Sequence, residues 1–156
     1  MNVARILLVD DEEVFVQNMQ RLLTNRGYTV TTASSGEDAL DRLSERAYDV
    51  VVLDLRMPGQ GGLSTLKAIK RRFPLVEVLI LTGHGAIDSA LEAMRAGAYD
   101  YITKPCEVDD LTRKLENARE HKDGAERSEM EDRIQKLIES PLSVLDLVRE
   151  AKQRRK

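Results

Sequence analysis

Asp10, Asp11 and Glu12 stand together directly after the apolar run Ile6-Leu7-Leu8-Val9, and Asp54 closes a second run, Val50-Val51-Val52-Leu53. Thr82-Gly83 follows a third, Val76-Glu77-Val78-Leu79-Ile80-Leu81, and Lys104-Pro105 follows a fourth, Tyr99 to Thr103. Three crowded carboxylates repel one another, so a site made of Asp10, Asp11 and Asp54 needs a cation or proton uptake. Mg²⁺, a hard ion that takes oxygen ligands, meets that need. Lys104 adds a second, fixed positive charge. A carboxylate beside a divalent ion and an ammonium is placed to attack phosphorus, while both cations offset the charge on the phosphoryl oxygens. Asp54 is then the nucleophile and forms an aspartyl phosphate.

For these residues to meet, the runs that carry them must be neighbouring strands. The runs are short and apolar throughout rather than alternating, as in a parallel sheet covered on both faces. Between them lie amphipathic stretches. One runs through Val14, Phe15, Met19, Leu22 and Leu23 and ends at Gly27. Tyr28 to Ala33 reads as a further strand. Ser35 with Asp38 three residues on starts a helix that buries Ala39, Leu40 and Leu43. A third helix follows the Gly59–Gly62 loop through Leu63, Leu66 and Ile69, with a basic end before Pro74. A fourth spans Ala86 to Ala96 before Gly97, and a fifth carries Val108, Leu111, Leu115 and Ala118. Five strand–helix units with right-handed crossovers make a flavodoxin-like (βα)5 three-layer α/β sandwich. Its ligand crevice lies beyond the C-terminal strand ends, where strand order reverses.

A chain of 156 residues has room for one such domain and a remainder. The net charge of −3 speaks against a generic nucleic-acid binder. One cysteine, Cys106, excludes an intramolecular disulfide and a cysteine-based zinc site. The N-terminus lacks a signal-peptide pattern, and no stretch approaches the roughly 18 apolar residues of a membrane span. A cytoplasmic location is expected.

Taken together, Leu8-Val9-Asp10-Asp11-Glu12, Val52-Leu53-Asp54-Leu55-Arg56-Met57-Pro58-Gly59, Leu81-Thr82-Gly83 and Tyr101-Ile102-Thr103-Lys104-Pro105 resemble the receiver domain of response regulators in bacterial two-component systems. The resemblance covers about residues 4–120. Each piece is weak alone; four in order are specific. The resemblance implies that Asp54 accepts the phosphoryl group, Asp11 binds Mg²⁺ directly and Asp10 largely through water, with the Arg56 carbonyl as a further ligand. Thr82 would hydrogen-bond the phosphoryl group and Lys104 would pair with it. Tyr101 would turn inward as Thr82 moves, and the Lys104-Pro105 bond would be cis. The output surface would be formed by helix four, strand five and helix five. Arg56 and His84 occupy places that in this family flank the phosphoryl group and tune its hydrolysis. A sensor histidine kinase or histidine phosphotransfer protein would be the donor and a downstream protein the target. The protein would catalyse only its own phosphorylation and dephosphorylation.

Blander readings exist for each residue. An Asp at a strand end is often a helix cap, Thr82 could cap helix four, Tyr101 could be a core aromatic and Lys104 a surface lysine. The set outweighs them. Cys106 reads as a small filler, and His84 and His121 as exposed loop residues. A flavodoxin-like FMN protein would want a Ser/Thr/Gly-rich cradle where Asp10-Asp11-Glu12 stands. An aspartate-nucleophile phosphatase would carry a second Asp where Arg56 stands.

The 36 residues after position 120 are too few for a usual winged helix or ATPase domain, so a stand-alone receiver without DNA-binding output is expected. The alternative is the N-terminal receiver of a larger transcriptional regulator. His121-Lys122-Asp123-Gly124 marks a boundary, giving a receiver over 1–120 and a helical tail or linker over 121–156. In that tail Met130, Ile134, Leu137 and Ile138 recur at helical spacing. Ser140-Pro141 starts a second stripe, Leu142, Leu145 and Val148. Each stripe is too short for a stable lone helix, so packing on the receiver or on a second copy, a homodimer, is expected. The basic end, Arg149 to Lys156, is left for solvent.

Overall fold

The structure is a computed structural model that describes residues 3–57, 61–83, 86–139, 149 and 151–153. By packing, the chain divides into Met1–Lys122 and Asp123–Lys156. Among the described residues, strands β1 (Arg5–Val9), β2 (Thr29–Ala33), β3 (Val50–Asp54), β4 (Glu77–Thr82) and β5 (Asp100–Thr103) alternate with helices α1 (Glu13–Asn25), α2 (Gly36–Glu45), α3 (Gly62–Arg72), α4 (Ile87–Arg95) and α5 (Val108–Glu139). The strands pair in parallel in the order β2-β1-β3-β4-β5. The order reverses between β1 and β3, so their C-terminal ends open the crevice.

The inner strands β1, β3 and β4 are apolar on both faces because both are covered. Ile6, Leu8, Val50, Val52, Leu79 and Leu81 pack with Val16, Met19 and Leu23 of α1 and Leu111, Leu115 and Ala118 of α5. Leu7, Val9, Val51, Leu53, Val78 and Ile80 face Ala39 and Leu43 of α2, Leu66 and Ile69 of α3 and Ala93 of α4. These are the three layers. Helix ends follow local chemistry. Gly27 and Gly97 adopt positive φ after α1 and α4, a conformation that costs glycine nothing. The Ser35 hydroxyl accepts from the Asp38 N–H at 3.1 Å, and the Asp38 carboxylate accepts from the Ser34 N–H, which caps α2.

Three expectations need correcting. Val14, counted with the apolar face of α1, is 80 % exposed. His121 is not in a loop but in α5; its ring lies 5.1 Å from that of Tyr99, and its Nδ1 is 3.2 Å from the carboxylate of buried Glu77. The helix carrying Val108 to Ala118 and the one carrying Met130 to Ile138 are not separate elements, because α5 continues through Gly124 to Glu139. Glycine in a helix costs about 1 kcal/mol, and polar pairs one turn apart, Arg133 to Glu129 and Gln135 to Glu139, support the run beyond it. In that second unit Met130, Ile134, Leu137 and Ile138 are exposed. Arg149 and residues 151–153 are helical, and the stripe of Leu142, Leu145 and Val148 lies outside the described residues, as does the Ser140-Pro141 start.

Candidate active site at the β1–β3 edge

Each site residue is placed by a strand end. Asp10 follows β1 and is anchored by its own N–H, which donates to the Ala33 carbonyl of β2 at 3.1 Å. Its Oδ1 accepts from the Glu12 N–H at 3.0 Å, a turn that holds the carboxylate inward. Asp54 is the last residue of β3, and its Oδ1 accepts from the Arg56 N–H at 3.0 Å. Thr82 ends β4, buried. Lys104 follows β5, its N–H donating to the Thr82 carbonyl at 2.8 Å, and the Lys104-Pro105 peptide is cis.

Lys104 reaches across the strand ends. Its Nζ donates to Asp10 Oδ2 at 2.6 Å and to Glu12 Oε1 at 3.1 Å, and lies 3.8 Å from Asp54 Oδ2. It also sits 4.3 Å from the centroid of the Phe15 ring. Burial opposes the lysine's charge, yet the bonds to Asp10 and Glu12 hold its ammonium above the ordinary lysine range. The Asp54 carboxyl moves the other way from a stable anion. Burial, joined by the negative charge of Asp10, pushes it from 3.8 up to about 6, against the opposing pull of the Arg56 N–H and Lys104. One lysine does not balance this group of acids.

Chemically, the donor set fits a hard divalent ion. One oxygen from each of Asp10, Glu12 and Asp54 lies within 4.8 Å of the others, and all are carboxylates, the ligand type Mg²⁺ takes. Of the acids singled out in the sequence, Asp10 and Asp54 come together. Asp11 is exposed and shares with Asp10 a crevice of about 430 Å³ that Val16, Gln17, Thr32 and Asp38 also line. Glu12, which sequence reasoning gave no role, joins the cluster through Lys104. The signal was there only in its place after two aspartates.

Other positions have structural detail of their own. A methyl group on Gly83 would come 2.8 Å from Arg56 Cζ, so the Arg56 guanidinium lies over the turn that follows Thr82. His84 lies outside the described residues, as do Pro58 and Gly59. Tyr101 is 41 % exposed, with Lys114 Nζ 5.5 Å from its ring centroid. Cys106 is half-buried, and burial raises its thiol, which suits a filler rather than a reactive thiolate. Among the described residues no helix is long and apolar enough to cross a membrane.

A parallel sheet of this order, with acids, a threonine and a lysine at its C-terminal strand ends, defines a doubly wound α/β domain with its polar site at those ends. The chain belongs to the response regulator receiver domain family, whose model matches residues 6–116. It is 42% identical over 116 residues to the transcriptional regulatory protein ZraR of Escherichia coli O157:H7, covering 74% of this chain and 26% of that protein. It is 40% identical over 114 residues to the DNA-binding transcriptional regulator NtrC of Klebsiella pneumoniae, covering 73% and 24%. A receiver domain structure from Clostridium thermocellum superposes with a TM-score of 0.74 at 41% identity, covering 78% of this chain and 98% of that one. The chain thus spans about a quarter of the length of these curated relatives. Both are named as transcriptional regulators, which favours the receiver of a larger regulator over the stand-alone reading and weakens the expectation of no nucleic-acid output.

Proposed function

We propose that this chain is the phosphoacceptor receiver of a larger two-component transcriptional regulator and takes its phosphoryl group onto Asp54. The observation that carries the reading is the buried Asp54 carboxylate, 3.8 Å from the Lys104 ammonium and beside Asp10 at the β1–β3 edge. Asp54 Oδ2 attacks the phosphorus of a phosphohistidine on a sensor kinase or phosphotransfer protein. The new O–P bond forms as the N–P bond breaks, and the imidazole nitrogen leaves with the bonding pair. Lys104 pairs with the transferred group, and the Thr82 hydroxyl donates to it. By the family resemblance, Asp10, Asp11, Asp54 and the Arg56 carbonyl would hold Mg²⁺, which when bound would offset the negative charge of the phosphoryl oxygens.

No other chemistry is assigned to the domain: it catalyses its own phosphorylation and its own dephosphorylation. Phosphorylation shifts Thr82 and draws Tyr101 inward, changing the surface of α4, β5 and α5 that meets the downstream protein or a second copy. The setting is cytoplasmic. Incubation with acetyl phosphate and Mg²⁺ tests the reading. Intact mass should rise by one phosphoryl group, only with Mg²⁺, and not in Asp54→Asn. Modification that persists in Asp54→Asn refutes it.

A further inference from the structure

Lys104 has an aromatic neighbour that the proposed chemistry does not use. Phe15, in the first turns of α1, is half-buried with its ring 4.3 Å from the lysine Nζ. Among the described residues, that ammonium pairs with the carboxylates of Asp10, Glu12 and Asp54. A lysine stem has four rotatable carbons and loses much freedom when its head is held at one point. Carboxylates hold such a head by accepting its hydrogens, the same hydrogens a phosphoryl oxygen needs. An aromatic face holds it differently: its negative quadrupole attracts the cation at distances up to about 6 Å. It neutralises no charge and leaves N–H groups for an incoming oxygen.

We propose that Phe15 is a positioning residue for phosphoryl transfer, holding the Lys104 ammonium over the acceptor edge through its π face. This rests on Asp54 being the phosphoacceptor. Asp10 and Glu12 draw the lysine toward the end of β1, and the ring supports it from α1. When Asp10 and Glu12 turn to other partners, the ring still holds the ammonium near Asp54 Oδ2. The sequence shows Phe15 only as part of an apolar helix face, and a core filler would need only its volume. The two roles part on electron density.

The test uses the full chain with phenylalanine at position 15 replaced by its mono-, di- and trifluorinated analogues, and by leucine and tryptophan. Ring fluorination weakens the quadrupole at nearly constant size. With acetyl phosphate and Mg²⁺, the phosphorylation rate should fall stepwise with fluorination and by roughly threefold to tenfold in Phe15→Leu. Phe15→Trp should restore it, and the fluorinated proteins should melt as the unaltered one does. A second arm needs no phosphorylation: the NMR signals of the Lys104 ε-protons should be shifted upfield by the ring and return to ordinary values in Phe15→Leu. A flat fluorination series overturns the proposal, even if Phe15→Leu is slow, because volume alone would then matter. If the unaltered protein takes no phosphoryl group, the proposed function fails, and the NMR arm then decides whether the ring holds the ammonium.

Discussion

Removing the charge of Asp54 should stabilise the metal-free protein. Asp54 is buried at the end of β3, and ionising it there costs free energy because water is excluded and Asp10 is close. The gap between 3.8 and about 6 corresponds to about 3 kcal/mol if fully expressed. Relaxation of the surrounding side chains offsets part of this, so about 1–2 kcal/mol is the expected net value. The sign follows from proton binding. The folded pKa is above the unfolded one, so the native state holds its proton more tightly between about pH 4 and pH 6. Stability from this group is intact below pH 4, falls across that window, and stays low above it. Asn is neutral throughout, so Asp54→Asn should match the unaltered protein near pH 4 and gain stability up to pH 6. Above that the gain should level off at roughly 4–8 °C in Tm. Lys104 keeps Asp10 and Glu12, so the substitution strands no cation. Thermal melts in chelator across pH 4–8 measure the difference, in which the titrations of acids remote from position 54 cancel. A variant no more stable at pH 7.5, or a gain independent of pH, refutes the argument.

Asp11→Ala should weaken Mg²⁺ binding more than Asp10→Ala by titration; the reverse order would exchange their roles as direct and water-mediated ligands. Thr82→Ala should keep the fold and accept phosphate but lose phosphorylation-dependent partner binding, measured against the downstream target; full binding would break the link to Tyr101. His121→Ala should lower stability by about 1–2 kcal/mol in denaturant melts, because it leaves the buried Glu77 carboxylate without its imidazole; an unchanged midpoint would make the pair incidental. Ile134→Asp with Leu137→Asp should reduce self-association by light scattering without changing Asp54 phosphorylation, since both residues are exposed on α5; identical mass before and after would exclude that stripe as a contact between copies.

The middle of the sheet was legible because β1, β3 and β4 are buried on both faces, which leaves continuous apolar runs such as Val50 to Leu53 that no half-exposed strand shows. Helix ends were legible where one residue decides them, as Gly27, Gly97 and Ser35 do. The end of α5 was not. Gly124 carries no φ requirement and only a modest helical cost, so it gives no stop signal, and continuation depends on the charged pairs that follow.

Sequence by itself determined the order of strands and helices, the family, and the residues delivered to the C-terminal strand edge, because local patterning and burial set these. Tertiary structure decided which acids meet. Lys104 and Asp10 are 94 residues apart, and only the parallel β1–β3–β4–β5 register brings them to 2.6 Å. The turn after β1 then points Asp10 inward, leaves Asp11 exposed and returns Glu12 to the lysine, a choice made by backbone hydrogen bonds rather than by residue type. The Phe15 ring meets the ammonium for the same reason: α1 packs over β1 from one side while Lys104 arrives from β5 on the other, and no local pattern encodes that meeting.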